Sequence, residues 1–350
     1  MKKRILITGG AGFIGSNFVH FCLEKQYEVL NYDILTYAGN LNNLKKIENN
    51  SNYTFVKGDI CDTNQLYKCI NEFKPNYIVN FAAESHVDRS IDSPDSFITT
   101  NINGTHQLLK VSLEYFLKLK SKNEFKFLHI STDEVFGSLN DEGLFSEDTP
   151  YRPSSPYSAS KASSDHLVRA WHNTYSLPIL ITNCSNNYGP FQFPEKLIPL
   201  MIINCLGNKK LPIYGDGRNV RDWLFVEDHC RAISSILDKG KIGSTYNIGG
   251  NEEKTNLDIV NLICESLDEI YPSKQNKTYK ELITYVRDRP GHDYRYAIDS
   301  SKLRKECDWK PIETFSSGLK KTINWYIDNK LWVENIKSNN CNLERLGLNK

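Results

Sequence analysis

The chain has almost no excess of charge of either sign. Its 350 residues include 43 Lys plus Arg against 42 Asp plus Glu, a formal net charge of +1. Nucleic acids and anionic membranes select basic surfaces, so neither is expected as a partner. No stretch approaches the ~18 consecutive apolar residues of a membrane-spanning helix. The length corresponds to about two domains with a large core.

Paired cysteines are also missing. The nine cysteines are scattered, odd in number and without a Cys-x-x-Cys pair. Disulfide frameworks and structural zinc sites depend on such spacing, so a reduced, cytoplasmic protein without a metal site is expected. The basic residues of Met1–Ile7 precede an apolar stretch, as in a secretion signal. That stretch is too short and passes directly into a glycine-rich segment, so we expect no signal.

A glycine-rich turn follows the first expected strand. Residues Arg4–Thr8 form an apolar run typical of a buried parallel strand. Gly9, Gly12 and Gly15 come next, at the start of an expected helix that runs to about Lys25. Glycines at this point permit a tight turn and bring backbone amides close to a pyrophosphate at a helix N-terminus. The pattern indicates a dinucleotide-binding unit.

Asp33 follows the second apolar run, residues 27–32. In a dinucleotide-binding fold, an acid at the end of the second strand accepts a hydrogen bond from the ribose 2′-hydroxyl. The same acid repels a 2′-phosphate. The sequence therefore predicts NAD, rather than NADP, as the cofactor.

Thr132, Asp133 and Glu134 are candidates for proton transfer. They follow the apolar run 125–130, so they are expected at the carboxyl end of a buried strand, where open α/β sheets place ligands. Adjacent carboxyl groups push their two pKa values apart. One acid of the pair can then hold a proton while the other is ionised, and the sequence permits either assignment.

Tyr157 and Lys161 form a second candidate pair. They are four residues apart on an expected helix, which places them on one face. A nearby ammonium favours the phenolate and lowers the pKa of a phenol. Tyr157 is therefore a candidate general base for an alcohol that is being oxidised. Simple alcohol oxidation would not need the additional acid pair.

Strand and helix patterns alternate through the first half of the chain. Further strands are expected at 53–56, 77–80 and 178–182, and further helices at 96–120 and 155–175. The alternation predicts an α/β fold with a Rossmann-type, doubly wound parallel sheet in residues 1–185. We expect a smaller, mainly substrate-binding lobe in 186–350, with part of 219–250 returning to the first domain. A loosely ordered tail is expected after about Leu331.

Together these motifs resemble the extended short-chain dehydrogenase/reductase family, and within it the dTDP-glucose 4,6-dehydratases. The Thr-Asp-Glu triplet narrows the resemblance to dehydratases, and the AAESHVDRS segment at 82–90 favours the enzymes of dTDP-glucose. The resemblance covers nearly the whole chain, in segments 8–15, 32–40, 82–90, 183–190, 193–199, 221–229, 288–293 and 309–311.

The resemblance implies a lyase that dehydrates dTDP-glucose to dTDP-4-keto-6-deoxyglucose, for deoxysugar (rhamnose-type) nucleotide biosynthesis. C4 is oxidised by NAD, water is eliminated across C5 and C6, and the hydride returns to C6. Tyr157 would take the proton of the 4-hydroxyl, Thr132 would hydrogen-bond that hydroxyl, and Lys161 would lower the phenol pKa and hold the nicotinamide ribose. Glu134 would be the base at C5, and Asp133 the acid for the departing 6-hydroxyl.

The resemblance also implies two sets of binding residues. The cofactor set adds other positions to the glycines, Asp33, Tyr157 and Lys161: Phe13, Ile14, Ile34, Leu35, Thr36, Asp59, Ile60, Phe81, Ala82, Ala83, Glu84, Ser85, Thr100 and Asn187. The substrate set adds to Ser85 and Thr132 the following: Asn186, Lys196, Leu197, Pro212, Ile213, Tyr214, Arg221, Asn256, Asp288, Arg289, Pro290, Gly291 and His292. We expect Arg221 to meet the diphosphate, because a guanidinium matches phosphate geometry.

The helices at 96–120 and 155–175 are expected side by side on one flank of the sheet. They carry apolar residues at helical spacing: Leu108, Val111, Leu113 and Phe116 on the first, and Leu167, Val168, Ala170 and Trp171 on the second. Part of this surface could simply pack on the sheet. The resemblance implies that both helices also meet a second subunit, which gives a homodimer through a four-helix bundle.

Two positions depart from the family pattern. Phe136 stands where a tyrosine is usual, and Tyr294 where an arginine is common; both leave the detail of substrate binding open.

Two other functions remain possible from the sequence. One is that of a UDP-sugar dehydratase or another NAD-dependent sugar-nucleotide epimerase or decarboxylase, and the other is that of a non-catalytic NAD-binding regulator. The acid pair argues against an epimerase, and the intact catalytic residues argue against a regulator.

Overall fold

The structure is a computed structural model, and it describes residues 2–275, 277–288 and 291–338. Its strands are β1 Arg4–Thr8, β2 Glu28–Asp33, β3 Tyr53–Lys57, β4 Tyr77–Asn80, β5 Lys126–Thr132, β6 Ile179–Cys184, β7 Asn186–Tyr188, β8 Leu211–Tyr214, β9 Val220–Phe225, β10 Thr245–Ile248, β11 Glu253–Thr255 and β12 Ile283–Val286.

The helices are α1 Phe13–Glu24, α2 Thr63–Phe73, α3 Val87–Asp92, α4 Asp95–Phe97, α5 Thr105–Lys118, α6 Pro156–Tyr175, α7 Leu197–Leu206, α8 Val226–Lys239, α9 Asn256–Ile270, α10 Ser301–Cys307, α11 Phe315–Asp328 and α12 Lys330–Ser338. Short 3₁₀ segments lie at Leu41–Ile47, Asp133–Phe136 and Tyr279–Leu282. A π-helical segment, Ile98–Gly104, joins α4 to α5, so the helix expected at 96–120 is continuous but irregular.

Seven parallel strands form the central sheet, in the order β3-β2-β1-β4-β5-β6-β10. This confirms the predicted doubly wound, Rossmann-type architecture. The strand order reverses between β1 and β4, and a crevice opens there beyond the carboxyl ends of the strands. The end of β5, which carries Thr132, lies two strands from β1 along the same edge.

The inner strands are buried and mostly apolar because helices cover both faces of the sheet. On one face, residues of α1, α8 and α10, such as Phe18, Ile233 and Leu303, share a core with β1. On the other face, residues of α2, α5 and α6, such as Ile70 and Leu108, share a second core. The strand ends are thereby held in fixed positions, and these ends carry the site.

A separate core lies in the C-terminal half. It gathers apolar residues of α7, α9, α11 and α12 around the small sheet β11-β9-β7 and the parallel pair β12-β8. Within 219–250, α8 packs on α1 and β10 pairs with β6 in the main sheet. The segment Leu303–Trp309 also packs there, which the sequence did not indicate. The division into residues 1–185 and 186–350 stays a prediction.

The expectation of a loose tail after Leu331 was wrong as far as Ser338. Helix α12 buries Trp332, Val333 and Ile336 in the C-terminal core. The indole Nε1 of Trp332 also donates to Oδ1 of Asn43 at 2.8 Å. These apolar residues at helical spacing outweigh the Asn- and Lys-rich composition. Residues 339–350 lie outside the described residues.

Helices α5 and α6 are neighbours, as expected. Nδ2 of Asn101, in the π-helical segment, donates to Oγ of Ser160 at 2.8 Å, and the rings of His106 and Trp171 meet edge to face at 5.4 Å. Four of the eight apolar residues expected at a subunit contact are instead buried within this chain: Leu108, Val111, Phe116 and Val168. The others are partly or fully exposed: Leu113, Leu167, Ala170 and Trp171.

No helix in the described part of the chain combines the length and apolar character needed to cross a membrane.

Candidate active site

A cleft of about 330 Å³ opens at the carboxyl edge of the main sheet. The glycine turn forms one wall, and the ends of β4, β5 and β6 form the other. It brings together most of the predicted cofactor residues: Gly9, Gly12, Phe13, Ile14, Gly15, Asp33, Ile34, Thr36, Asp59, Ile60, Phe81, Ala82, Ala83, Glu84, Ser85, Thr100, Tyr157, Lys161 and Asn187. Leu35 does not line it; its side chain packs against the core around α1.

The glycine turn leaves no space for side chains at its closest approaches. Gly9 has φ +69°, and a Cβ there would meet the backbone N of Ala82 at 2.7 Å. A Cβ on Gly15 would overlap the carbonyl oxygen of Gly9. Gly12 caps α1 without a side-chain hydrogen bond, so the first amides of this helix remain available to an anion. This cradle fits a dinucleotide pyrophosphate.

Asp33 closes the far end of the cleft. Its Oδ2 accepts from the backbone N of Ala11 at 2.9 Å, and its Oδ1 accepts from that of Leu35 at 2.8 Å. Burial raises the pKa of this carboxyl, and the two backbone hydrogen bonds oppose the rise. A carboxylate retains further lone pairs for a ribose hydroxyl, so the position fits the predicted contact.

The acid pair lies at the end of β5. Thr132 is the last residue of the strand, and its Oγ1 accepts from the backbone N of Glu134 at 3.3 Å, which caps the 3₁₀ turn Asp133–Phe136. Asp133 is 2 % exposed, and its Oδ2 has no hydrogen-bond partner among the described residues. Burial, followed by the charge of Glu134, raises the pKa of Asp133 well above its ordinary value.

Tyr157 lies in the first turn of α6, which begins at Pro156 and is capped by a reciprocal pair of hydrogen bonds between Ser155 and Ser158. The phenol is buried at the cleft. Burial, followed by the charge of Glu134, raises its pKa well above the ordinary value, while a hydrogen bond from Thr132 opposes the rise. The hydroxyl therefore lies beside the threonine and the acids.

Lys161 departs from its expected contact. Its Nζ donates to the carbonyl oxygen of Ile130 at 2.7 Å, on the strand next to α6. The pKa of Tyr157 is raised rather than lowered, because burial and the charge of Glu134 are the largest influences on it. Burial lowers the pKa of Lys161 itself, and Asp165 opposes that change.

The predicted substrate residues divide into two groups. Ser85, Thr132, Asn186 and Lys196 line the same cleft as the cofactor set. The ammonium of Lys196 donates to the carbonyl oxygen of Ser85 at 3.3 Å, which joins the two halves of the chain. The others do not line this cleft and lie in the C-terminal half: Leu197, Pro212, Ile213, Tyr214, Arg221, Asn256, Asp288, Gly291 and His292. Arg289 and Pro290 lie outside the described residues.

Arg221 is buried, at 5 % exposure. Its guanidinium donates to the backbone carbonyl oxygens of Val220, Tyr294 and Asp293 and lies over the ring of Tyr296, 4.3 Å from the centroid. Its positive charge lowers the pKa of Asp133. The guanidinium is therefore close enough to act on the acid pair.

Tyr214 and His292 lie near each other in the second group. Their rings are 6.4 Å apart, and Nδ1 of His292 is 2.7 Å from Oδ1 of Asp288. Asn256 begins α9, and its backbone N donates to the carbonyl oxygen of Asn219 at 3.0 Å. Ile213 is buried in the C-terminal core, so its side chain serves packing.

One cluster beside the cleft was missed. Glu195 is 3.2 Å from Nη2 of Arg89, and the guanidinium of Arg89 lies over the ring of Tyr37, 3.9 Å from its centroid. The edge of this tyrosine ring meets Phe193 at 5.5 Å. These residues are far apart in sequence. The family resemblance covers all of them, in segments 32–40, 82–90 and 193–199, but no local pattern showed that they would meet.

The two departures from the family pattern lie in different surroundings. Phe136 is buried and stacks on Phe145 at 5.2 Å, with Tyr151 edge-on at 5.2 Å. Tyr294 is exposed, and its hydroxyl donates to Oδ1 of Asp141 at 2.9 Å.

Among residues 2–275, 277–288 and 291–338, no group of His, Cys, Asp or Glu could hold a metal ion.

Residues 6–322 match the family model described as GDP-mannose 4,6 dehydratase. A dTDP-glucose 4,6-dehydratase of Salmonella typhimurium is 56 % identical over 347 residues, which cover 96 % of each chain. The structure is similar to a dTDP-glucose 4,6-dehydratase of Bacillus anthracis in complex with NAD, with TM-score 0.84, 49 % identity and coverage of 95 % of this chain and 99 % of that one. It is also similar to the Streptomyces venezuelae dTDP-glucose 4,6-dehydratase DesIV, solved with NAD bound, with TM-score 0.87, 43 % identity and coverage of 95 % and 99 %.

Proposed function

This chain belongs to the family of dTDP-glucose 4,6-dehydratases, and on that premise we propose that it dehydrates dTDP-glucose to dTDP-4-keto-6-deoxyglucose with NAD as cofactor. The observation that carries the proposal is the meeting of Thr132, Asp133 and Glu134 with Tyr157 in one cleft beside the glycine turn. An alcohol oxidation requires only the tyrosine and a cofactor. The buried acid pair supplies the additional chemistry that elimination of water requires.

NAD would lie between the glycine turn and Lys161. The amides at the start of α1 would hold the pyrophosphate, Asp33 the adenosine ribose, and Lys161 the nicotinamide ribose. When bound, the cofactor accepts a hydride from C4 and later returns it to C6. Apolar residues of the cleft, among them Ile60, Phe81 and Ala82, would exclude water from part of the bound cofactor.

Tyr157 would act as the base for the 4-hydroxyl. The hydrogen bond from Thr132 favours the phenolate and places the threonine hydroxyl where it can also contact the sugar. Burial and the nearby acids raise the pKa of the phenol. The positive charge of Lys161 would oppose that rise and favour the phenolate during the oxidation.

Asp133 would protonate the departing 6-hydroxyl, and Glu134 would remove the C5 proton. Asp133 is nearly fully buried and its pKa is raised well above the ordinary value, so it is the member of the pair suited to hold a proton at neutral pH. Glu134 is only partly buried, which suits an ionised base. Burial thus supports the assignment that the family resemblance implies.

The C-terminal half would bind the nucleotide. Arg221 is held by three backbone carbonyl groups close to the acid pair, and the planar geometry of its guanidinium matches a diphosphate. Tyr214, Asn256 and His292 also lie in the C-terminal half, at the end of β8, at the start of α9 and in the loop after β12, and would contact the nucleotide. A sugar whose C4 lies at Tyr157 would thereby be joined to a nucleotide that lies over the C-terminal half.

We further infer a homodimer formed through α5 and α6. Leu113, Leu167 and Trp171 are the partly exposed apolar residues of these adjacent helices, and a two-fold axis would bring them against their copies.

A cytoplasmic location is also proposed, because the eight cysteines in the described ranges are free thiols and reducing compartments preserve thiols.

The test is to incubate the purified protein separately with dTDP-glucose and with UDP-glucose and to measure the 4-keto-6-deoxy product by NMR. We expect this product from dTDP-glucose, with UDP-glucose turned over more slowly. A C4-epimerised sugar nucleotide, or preferred turnover of UDP-glucose, would contradict the proposal.

A further inference from the structure

Behind Lys161 lies a buried polar cluster that the proposed chemistry does not use. It consists of His129, Ser131, Tyr151, Asp165 and Asn183. His129, Asp165 and Asn183 are each 0 % exposed. Asp165 lies one turn after Lys161 on α6, on the same helix face. A fully buried carboxylate is costly in free energy unless hydrogen bonds and opposite charges compensate its charge.

One oxygen of Asp165 connects three elements of the site. Its Oδ2 accepts from Oγ of Ser131 at 2.8 Å, from the hydroxyl of Tyr151 at 2.8 Å and from Nδ2 of Asn183 at 3.3 Å. The same Asn183 nitrogen also donates to the carbonyl oxygen of Thr132 at 3.0 Å. The carboxylate therefore ties the end of β5, which carries Thr132 and the acid pair, to β6 and to α6.

The other oxygen of Asp165 faces His129. Oδ1 has no hydrogen-bond partner among the described residues, and it is 3.5 Å from Nε2 of His129. The same Nε2 is 3.5 Å from Nζ of Lys161. The imidazole thus stands between the ammonium and the carboxylate.

The tautomer of His129 follows from its other contacts. Oδ1 of Asn80 accepts from Oγ1 of Thr8 at 2.6 Å, so the amide nitrogen of Asn80 is the atom 3.1 Å from Nδ1 of His129. That nitrogen donates to Nδ1, which leaves the ring proton on Nε2. Nε2 is then the donor of the ring. It donates to Oγ of Ser164 at 3.2 Å, and it cannot accept from Lys161.

Asp165 is the carboxyl group that faces Lys161. Burial raises its pKa, while the charges of Lys161 and Arg169 and the hydrogen bonds from Ser131 and Tyr151 oppose the rise and favour the carboxylate. Four titratable groups surround the pair of Lys161 and Asp165: His129 on β5, Cys184 on β6, Arg169 on α6, and Tyr151, whose pKa is raised by burial and which is therefore neutral. Burial keeps the imidazole of His129 uncharged and raises the pKa of the Cys184 thiol to about 12, so both are neutral. Arg169 adds a further positive charge. The charge balance of this cluster therefore depends on one carboxylate.

We propose that Asp165 is a positioning residue for the hydride-transfer step: its carboxylate keeps Lys161 in the ammonium form and holds the Thr132 strand end against α6. The consequence for catalysis rests on the proposed function, since it is there that Lys161 acts. The electrostatic coupling between Asp165 and Lys161 does not depend on any substrate.

The first test is a stability cycle on the full chain without substrate. Asp165→Asn leaves the buried ammonium without its counter-charge, and Lys161→Met removes the larger of the two positive contributions, from Lys161 and Arg169, that favour the buried carboxylate. We expect each single variant to lower Tm, and the double variant to melt at or above the temperature of the less stable single variant. Decreases in Tm that simply add in the double variant would overturn the proposal.

The second test is the pH profile of kcat with dTDP-glucose. Removal of the anion lowers the pKa of Lys161, so the ammonium is lost at lower pH, and the alkaline limb for Asp165→Asn should move down by about one to three pH units. Tyr151→Phe is the matched control, because it removes a donor to the same carboxylate oxygen without changing any charge, and its limb should stay in place. An unmoved limb in Asp165→Asn, or an equal shift in both variants, would contradict the proposal. If the Tm values show the expected coupling but the wild-type protein does not turn over dTDP-glucose, the proposed function is contradicted and the coupling between Asp165 and Lys161 is not.

Discussion

Asp133 and Glu134 are adjacent acids that the sequence cannot rank. Either could hold the proton, because mutual repulsion raises one pKa without specifying which. The fold distinguishes them: the 3₁₀ turn after β5 buries Asp133 almost completely and leaves Glu134 partly exposed. Desolvation then favours the neutral form of Asp133. Residue types identified the acid pair, while the division of roles depends on burial that only the tertiary structure provides.

Tyr157→Phe should lower turnover of dTDP-glucose by about 10²- to 10⁴-fold, because one positioned base is lost. The aromatic ring, which meets Phe97 edge to face at 6.2 Å, is kept, so the fold and the NAD content should be close to wild type. Steady-state kinetics with circular dichroism and cofactor extraction check this. Turnover near the wild-type rate would remove Tyr157 from its role.

Asp133→Asn combined with Glu134→Gln should separate oxidation from elimination. Oxidation at C4 needs neither acid, whereas loss of the 6-hydroxyl needs both, so enzyme-bound NADH should accumulate on addition of dTDP-glucose. Its absorbance is the measurement. The matched control is the exposed neighbouring pair, Asp141→Asn with Glu142→Gln, for which wild-type dehydration is expected. Full dehydration by the Asp133 and Glu134 variant would exclude these acids from the mechanism.

At the scale of elements, the strands and helices of the first half could be predicted closely. The run 125–130 became β5 Lys126–Thr132, and the helix expected at 155–175 became α6 Pro156–Tyr175, because buried parallel strands and capped amphipathic helices carry strong local patterns. The π-helical segment Ile98–Gly104 could not be predicted. It carries Asn101, which bonds to the backbone of Glu84, a contact that is not local in sequence.

The glycine turn predicts a contrast between two alanine substitutions. A Cβ on Gly15 would overlap the carbonyl oxygen of Gly9, while one on Gly12 would lie 3.4 Å from the same atom, an ordinary contact. Gly15→Ala should therefore lower Tm by several degrees, and Gly12→Ala should lower it much less. Thermal unfolding of the purified variants by circular dichroism measures both. Equal decreases would show that the turn relaxes to admit either side chain.

For the whole molecule, the sequence predicted two functional regions but not the contacts that join them. Lys196 bonds to the backbone of Ser85, and Glu195 pairs with Arg89. These contacts link residues more than a hundred positions apart, and no local pattern encodes them. The C-terminal helix α12 was missed because the Asn- and Lys-rich composition hid the helical spacing of Trp332, Val333 and Ile336, although the contact of Trp332 with Asn43 could not be predicted either.

The dimer proposal predicts a mass of about 80 kDa by light scattering, twice the 40.2 kDa of the chain. Leu167→Glu, on the partly exposed face of α6, should shift the mass towards a single chain, because a charge at the core of an interface is not solvated. Leu331→Glu is the control, since this leucine is 75 % exposed and lies outside the two helices. A wild-type mass near 40 kDa with full activity would refute the dimer.

The most direct measurement of the proposed reaction follows deuterium from C4 of dTDP-glucose. A hydride that leaves C4 and returns to C6 within one active site should place the deuterium at C6 of dTDP-4-keto-6-deoxyglucose, with a solvent-derived hydrogen at C5. NMR or mass spectrometry of the product detects both positions. Loss of the deuterium to solvent, or its retention at C4, would contradict an internal oxidation, elimination and reduction by Tyr157, Asp133 and Glu134.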